Sequence, residues 1–493
     1  MRKSGILMPV ASLPGRYGIG TISKEAYKFV DRLKAAGVGY WQILPLVPTS
    51  YGDSPYQSFS TFAGSPYLID LETLIDEGLL KRSECGRFDF GSDEECVDYE
   101  KLYRSRFEVL KLAFLRCDLS KDAKYKRFVS KNRFWLEDYA LFMAIKDSYG
   151  GVSFAEWDDD IRLRKKKAVD DYRKQYAKEI EFYRFIQYIF DKQWAALKAY
   201  ANKNGVEIIG DIPIYVAFDS ADTWSDPKLF QLDENRTPTV VAGCPPDAFS
   251  DTGQLWGNPL YDWKYHKETG YDWWIKRMRH CLKLYDVIRI DHFRAFDEYY
   301  AIPYGDKTAE FGKWKKGPGM QLFRAIRKEL GDINVIAEDL GYITPSVRKL
   351  VNDCGFPGMK VLQFAFDPKN ESDYLPHNYI KNCVVYTGTH DNDTLLGWYS
   401  SISKAERRFA DRYLNNAGHE GKELVWDYIR LAIASAADTC IIPMQDYLAL
   451  GSKGRINIPS TQGGNWVWRM KKGAFTLKLA KEINSLTSLY YRK

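Results

Sequence analysis

The fold class that this sequence predicts is α/β: a (β/α)8 TIM barrel with inserted, largely helical subdomains. Three observations predict it. Eight short apolar, β-rich runs recur along the 493 residues. Each is followed by a loop and a helical pattern, the order that builds a parallel sheet. The runs are near-continuously apolar rather than alternating, as suits strands covered on both faces. Eight such units close a barrel, and no fixed repeat length points to a solenoid.

In chain order the runs are GILMPV (5–10), YWQILP (40–45), VEIIGDIP (206–213), DVIRID (286–291), NVIAED (334–339), MKVLQFAF (359–366), CVVYTGTHD (383–391) and TCIIPMQD (439–446). A plain barrel needs about 250 residues, so the excess is expected as insertions. Segment 50–200, rich in Lys, Glu, Tyr and Trp at helical periodicity, reads as a mainly helical insertion after the second strand. Segment 240–275 reads as a loop-rich insertion over the cleft. No Ser/Gly/Pro linker divides the chain, so 1–493 reads as one catalytic barrel domain.

Bulk composition excludes several classes. A net charge of +6 over this length gives no nucleic-acid signal. The basic runs RLRKKK (162–167) and KWKK (313–316) read as solvated faces. The eight cysteines are scattered without a CxxC pair, which fits buried free thiols in a reducing compartment. There is no zinc-ligand spacing and no HExxH. No run of ~18 apolar residues would span a membrane, and the N-terminal apolar run is too short for a signal peptide. The expected location is the cytoplasm, or an organelle stroma after loss of a transit peptide. Aromatic residues are abundant at 15%. Several sit in Gly/Pro-rich loops (Tyr51, Tyr56, Phe249, Trp256, Trp466), where flat faces suit a sugar.

Four runs carry acids at or near their ends: Asp211, Asp291, Glu338 and Asp391. Strand C-termini form the catalytic rim of a barrel. Any one acid could be a helix N-cap, but four at the same end favour an active site. Glycoside chemistry needs one carboxylate that attacks and one carboxylic acid that protonates the leaving oxygen. Arg289 and Asp291, two apart, share a strand face, and the guanidinium is expected to lower the Asp291 pKa. Glu338, after Val335-Ile336-Ala337, is expected to be raised by apolar surroundings. Asp391, beside His390, is placed to hold sugar hydroxyls. Asp339 and Asp393 compete for these roles, but Glu338 and Asp339 should point to opposite faces.

RIDHFR (289–294), AEDLG (337–341) and TGTHDN (387–392) together resemble the amylomaltases, or disproportionating enzymes. These are the 4-alpha-glucanotransferases of glycoside hydrolase family 77 in the alpha-amylase clan. SLPGRYGIG (12–20), WQILPLVPT (41–49), YGDSPYQSFSTFAG (51–64), GDIPIYV (210–216), PPDAFSDTGQLWGNPLY (245–261) and GNWVWR (464–469) extend the resemblance over nearly the whole chain. It implies a retaining transfer of alpha-1,4-glucan segments to the 4-hydroxyl of another glucan or glucose, with cyclisation of long amylose as a side activity and no metal or organic cofactor. By motif match Asp291 is similar to the nucleophile, Glu338 to the acid/base and Asp391 to the transition-state stabiliser. Arg289 and His390 match the donor-sugar subsite. Asp211, Tyr56 and Asn465 match substrate-contacting positions. Asp247, Phe249, Asp251 and Trp256 fall in a loop arching over the cleft, and Tyr51 matches an aromatic at a second glucan site. A hydrolase of the same clan and a non-catalytic glucan-binding barrel are the alternatives; the loop motifs and the intact acids argue against them. The chain departs from the family pattern at Ala295 and Ser460, where glycine is usual.

Overall fold

The computed structural model describes every residue except Met1, Tyr51, 247–249, Ala417, Gln462 and Lys493. Twelve strands form in chain order: β1 (Lys3–Leu7), β2 (Tyr40–Gln42), β3 (Glu207–Pro213), β4 (Val240–Cys244), β5 (Gln254–Pro259), β6 (Val287–Asp291), β7 (Glu298–Pro303), β8 (Lys313–Lys316), β9 (Val335–Ala337), β10 (Gly358–Val361), β11 (Cys383–Tyr386) and β12 (Thr439–Pro443). Eight of them make one all-parallel sheet in the order β10-β11-β12-β1-β2-β3-β6-β9. The Ala337 N–H at the end of β9 donates to the Pro357 carbonyl just before β10, at 3.0 Å, and brings the sheet round into a barrel.

Each barrel strand overlaps one of the eight apolar runs; β3 and β6 reach the end of theirs, and the other six stop short of it. The trimmed residues are the ones that turn over the rim. The strand interiors are buried on both faces: Ile6, Trp41, Ile209, Ile288, Ala337, Val385 and Ile441 are all fully enclosed.

Crossover helices cover the barrel: Lys24–Ala35, Ala177–Lys203, Asp272–Leu284, Met320–Leu330, Pro345–Cys354, Gly421–Ala434 and, after β12, Leu477–Leu489. Pro345–Cys354 shows how sequence sets the bounds. Thr344 caps its first turn by accepting the Val347 N–H, Pro345 occupies the first turn, and Gly355 ends it at φ +74°. The β10–β11 connection, residues 362–382, differs: it carries only the short turns Leu362–Phe364 and Pro376–Asn378.

Between β2 and β3 the chain forms the long helices Tyr99–Arg116, Ala123–Ser148 and Ala177–Lys203. Asp98 and Asp122 cap the first two. The third holds the 61–70 segment by two side-chain amides. Gln187 exchanges two hydrogen bonds with the Gly64 backbone (2.7 and 2.8 Å), and Gln193 does the same with Asp70 (2.7 and 3.2 Å). A Cβ at Gly64 would stand 2.1 Å from the Phe190 ring, so this close approach requires glycine.

Segment 240–275 is more regular than its glycine and proline content suggests. β4 and β5 pair within it, and with β7 and β8 they make an antiparallel sheet in the order β5-β4-β7-β8. Short strands with Gly257 and Pro259 inside them leave little period-two signal. KWKK is solvated as expected, but as the exposed edge strand β8, where lysines discourage further pairing. The eight cysteines are all free, five of them buried. No helix among the described residues is long and apolar enough to cross a membrane.

Gly210, just before Asp211 in β3, leaves room for Tyr285; an added Cβ would stand 2.1 Å from that ring. Gly210→Ala is expected to cost about 1–3 kcal/mol by overpacking, read as a lower denaturation midpoint with an unchanged m-value.

Candidate active site

The barrel register assembles the charged centre. β3 and β6 pair so that Asp211 lies beside Arg289. Arg289 Nη1 contacts both Asp211 oxygens at 2.8 and 2.6 Å, and Nη2 reaches Asp291 Oδ1 at 3.0 Å. Asp211 and Arg289 are 0% and 2% exposed, whereas Asp291, the last residue of β6, opens to the cleft. The Tyr56 hydroxyl donates to Asp211 at 3.0 Å. Its ring stacks on His390, with centroids 5.1 Å apart and planes at 11°.

Glu338 follows β9. Its oxygens accept the His292 N–H and the Leu340 N–H, each at 2.7 Å. His292 is aimed by an unusual backbone, φ +53°, a left-handed conformation costing about 1–2 kcal/mol without glycine. Asp339 points the other way, as strand alternation requires: it accepts the Met359 N–H at 2.7 Å and ties β9 to β10. Asp393 is likewise engaged, by Ser452 at 2.7 Å.

Asp391 stands on the loop after β11. His390 Nε2 is 3.4 Å from Asp391 Oδ2, and Asn457 Nδ2 donates to Oδ1 at 2.6 Å. Arg455 holds the Asp391 carbonyl at 2.9 Å and the Asn457 carbonyl at 2.7 Å. Asp446, in the short helix Met444–Tyr447 after β12, clamps the same loop by accepting the Leu395 N–H (2.8 Å) and the Thr387 hydroxyl (2.5 Å).

Electrostatics separate the two central acids, though not by the route expected from sequence. Burial raises Asp291 to about 6, with Arg289 opposing it. Desolvation therefore outweighs the guanidinium, and the expected lowering does not occur. Burial and the Asp291 charge raise Glu338 further, to about 8, against the two N–H donors that favour its ionised form. Of the two, Asp291 ionises first and Glu338 keeps its proton longer. Burial lowers His292 to about 3, so its ring is neutral.

The remaining candidate residues divide. Trp256 in β5 meets the His292 ring edge-on at 4.8 Å, beside both acids. Asp251 is exposed in a turn closed by the Gly253 N–H to the Ser250 carbonyl at 3.1 Å. Asn465 spends its amide within its own loop, accepting the Ile458 N–H (2.9 Å) and donating to Thr461 (3.0 and 3.2 Å). Tyr51, Asp247 and Phe249 lie outside the described residues. Asn457, Arg455 and His292 were not singled out from sequence. Asn457 opens the NIPS segment, whose departure from the family pattern was its only signal. Ser460 there has φ +63°, which explains the usual glycine, whereas Ala295 has no positive φ and fits its turn without strain. Among the described residues no group of three or more His, Cys, Asp or Glu is placed to hold a metal ion.

Residues 8–476 match the family described as 4-alpha-glucanotransferase. A 4-alpha-glucanotransferase of Clostridium butyricum is 49% identical over 98% of this chain and 100% of its own. One of Streptococcus pneumoniae is 50% identical over 100% and 97%. An amylomaltase from Streptococcus agalactiae, solved in complex with acarbose, superposes with a TM-score of 0.96 at 43% identity, covering all of both chains.

A carboxyl whose pKa is raised on folding binds more protons in the native state than unfolded, so it loses stability as pH rises between the two values. For Glu338 that window runs from the unfolded value of about 4.3 to the folded value of about 8. Glu338→Gln removes the penalty. The stability of the variant relative to wild type is expected to increase from pH 5 to pH 8, read by denaturant melts across that range; a pH-independent difference would contradict the raised pKa.

Proposed function

The chain belongs to the 4-alpha-glucanotransferase family, and from its carboxylate geometry we propose a retaining double displacement in which Asp291 is the nucleophile and Glu338 the acid and base. The reaction moves an alpha-1,4-glucan segment from one maltooligosaccharide or amylose chain to the 4-hydroxyl of another. The observation that carries the mechanism is the pairing of an Arg289-bound carboxylate with a more basic neighbour across one cleft.

In the first step an Asp291 oxygen attacks the anomeric carbon. The bond from that carbon to the leaving oxygen breaks, and Glu338 gives its proton to the oxygen. The product is a glucosyl ester on Asp291 and a free, shortened glucan. In the second step Glu338, now ionised, takes the proton of an acceptor 4-hydroxyl. That oxygen attacks the anomeric carbon and releases Asp291. The N–H groups of His292 and Leu340 stabilise Glu338 in its ionised phase.

Asp391, oriented by Asn457 and His390, holds hydroxyls of the reacting sugar. Arg289, Asp211, Tyr56 and His390 bound the donor side. Trp256 bounds the acceptor side with Asp251 and shields the ester from water, and the family resemblance gives Asp247 and Phe249 a part in binding substrate. Asn465 acts on substrate through the loop it braces. Tyr51 contributes a second glucan contact. An amylose chain long enough to return its own 4-hydroxyl closes into a ring.

Maltotriose alone should give glucose and a ladder of longer oligosaccharides while the number of reducing ends stays nearly constant. Reducing ends that rise with substrate loss, with nothing longer than maltotriose, would mean hydrolysis. With alpha-maltosyl fluoride, Glu338→Gln should accumulate an ester on Asp291, detectable by mass spectrometry, and Asp291→Asn should form none. On maltotriose Glu338→Gln should lose about 10²–10⁴-fold in kcat. The wild-type kcat/KM profile should be a bell with apparent pKa values near 6 and 8 that belong to the pair.

A further inference from the structure

We propose that the flank of the barrel below the acid-bearing loop is a glucan groove, which the acceptor end of a long chain follows out of the cleft. The inference rests on the reading of Glu338 as the residue that serves the acceptor oxygen.

The groove exists because the β10–β11 connection has no covering helix. Every other crossover carries a helix of ten or more residues, but 362–382 has only two short turns. The space left measures about 430 Å³, within the ~300–1,000 Å³ range of ligand clefts. Asp339, Gly341 and Tyr342, on the same loop as Glu338, are among its lining residues. Tyr342 is 73% exposed. Its carbonyl is fixed by Arg294 Nη1 at 2.6 Å, so the phenol is presented from a held backbone. Further down, Tyr374 is half-buried with Lys360 Nζ 5.3 Å from its ring centroid.

The lining chemistry selects the occupant. Arg348 and Lys360 are offset by Asp339 and Asp373, and Arg348 pairs with Asp373 at 2.7 Å. With two charges of each sign the groove offers no advantage to an anion. Two tyrosines, Tyr342 and Tyr374, share the lining with the planar amides Asn352, Asn378 and Asn382. Flat apolar faces rimmed by paired donors and acceptors match the faces and hydroxyl edges of glucose units. The neutral glucan that already leaves Glu338 is the ligand of that description nearest to hand.

The test uses the full chain, with alpha-maltosyl fluoride as donor and glucose or maltoheptaose as acceptor. Tyr342→Ala removes the exposed platform. Asn352→Trp, from the exposed face of helix 345–354, fills the groove without removing core packing. Both should raise the acceptor KM for maltoheptaose about three- to ten-fold, the scale of one lost aromatic contact, and leave the KM for glucose unchanged. Both should also lessen retardation of the protein in amylose-containing gels. Unchanged maltoheptaose KM and retardation would overturn the proposal, as would equal losses with both acceptors, which would mean that the Glu338 loop had moved. Ladder formation from maltotriose by the wild-type chain reads the transferase mechanism separately, so the two ideas can fail independently.

Discussion

One buried guanidinium organises the centre of this barrel. Arg289 lies between Asp211, which it grips through both oxygens, and Asp291, the carboxylate that opens to the cleft. Taking three charges out of water is costly, and removing one partner from such an arrangement costs about 3–5 kcal/mol, because a bare charge is left behind. The arrangement therefore demands the register in which β3 and β6 pair Asp211 with Arg289. The constraint extends round the rim. Asp211 holds the Tyr56 hydroxyl, Tyr56 stacks on His390, and His390 adjoins Asp391.

Burial then sets the chemistry within that frame. A guanidinium 3.0 Å from a carboxylate would lower its pKa in water. Here desolvation is the larger effect, and Asp291 is raised instead, with Glu338 raised more. What matters for a nucleophile and an acid is the order of the two values, and the direct ion pair of Arg289 with Asp291 favours that order. The left-handed His292 and the raised carboxyls both cost stability. Such costs concentrate where a site needs them.

The departures from barrel symmetry fall around the site. The helices between β2 and β3 hold the 61–70 segment, which follows Tyr56, on the paired amides Gln187 and Gln193. The small antiparallel sheet holds Trp256 against His292. The uncovered β10–β11 connection leaves the flank open beside the acid-bearing loop. Scaffold and insertions thus divide the work. Strand ends supply the charges, and the added segments supply aromatic faces.

The eight barrel strands and the strand-end acids were legible in the sequence, because burial on both faces forces long apolar runs and a run that stops in an acid marks the rim. Strand alternation also anticipated that Glu338 and Asp339 would point to opposite sides, without saying which of them faces the cleft. The second sheet was not legible: its strands are short, interrupted by Gly257 and Pro259, and in β8 made mostly of lysine. Nor were Asn457 and Arg455, which meet Asp391 from 66 and 64 residues away, or the loop-bracing role of Asn465. Sequence determined which chemical groups are present and which strand ends carry them, because periodicity and residue type are local properties. Tertiary structure decided the direction of the Asp291 shift, the partner of each carboxylate and the open flank, because desolvation and long-range contacts arise only when the barrel closes.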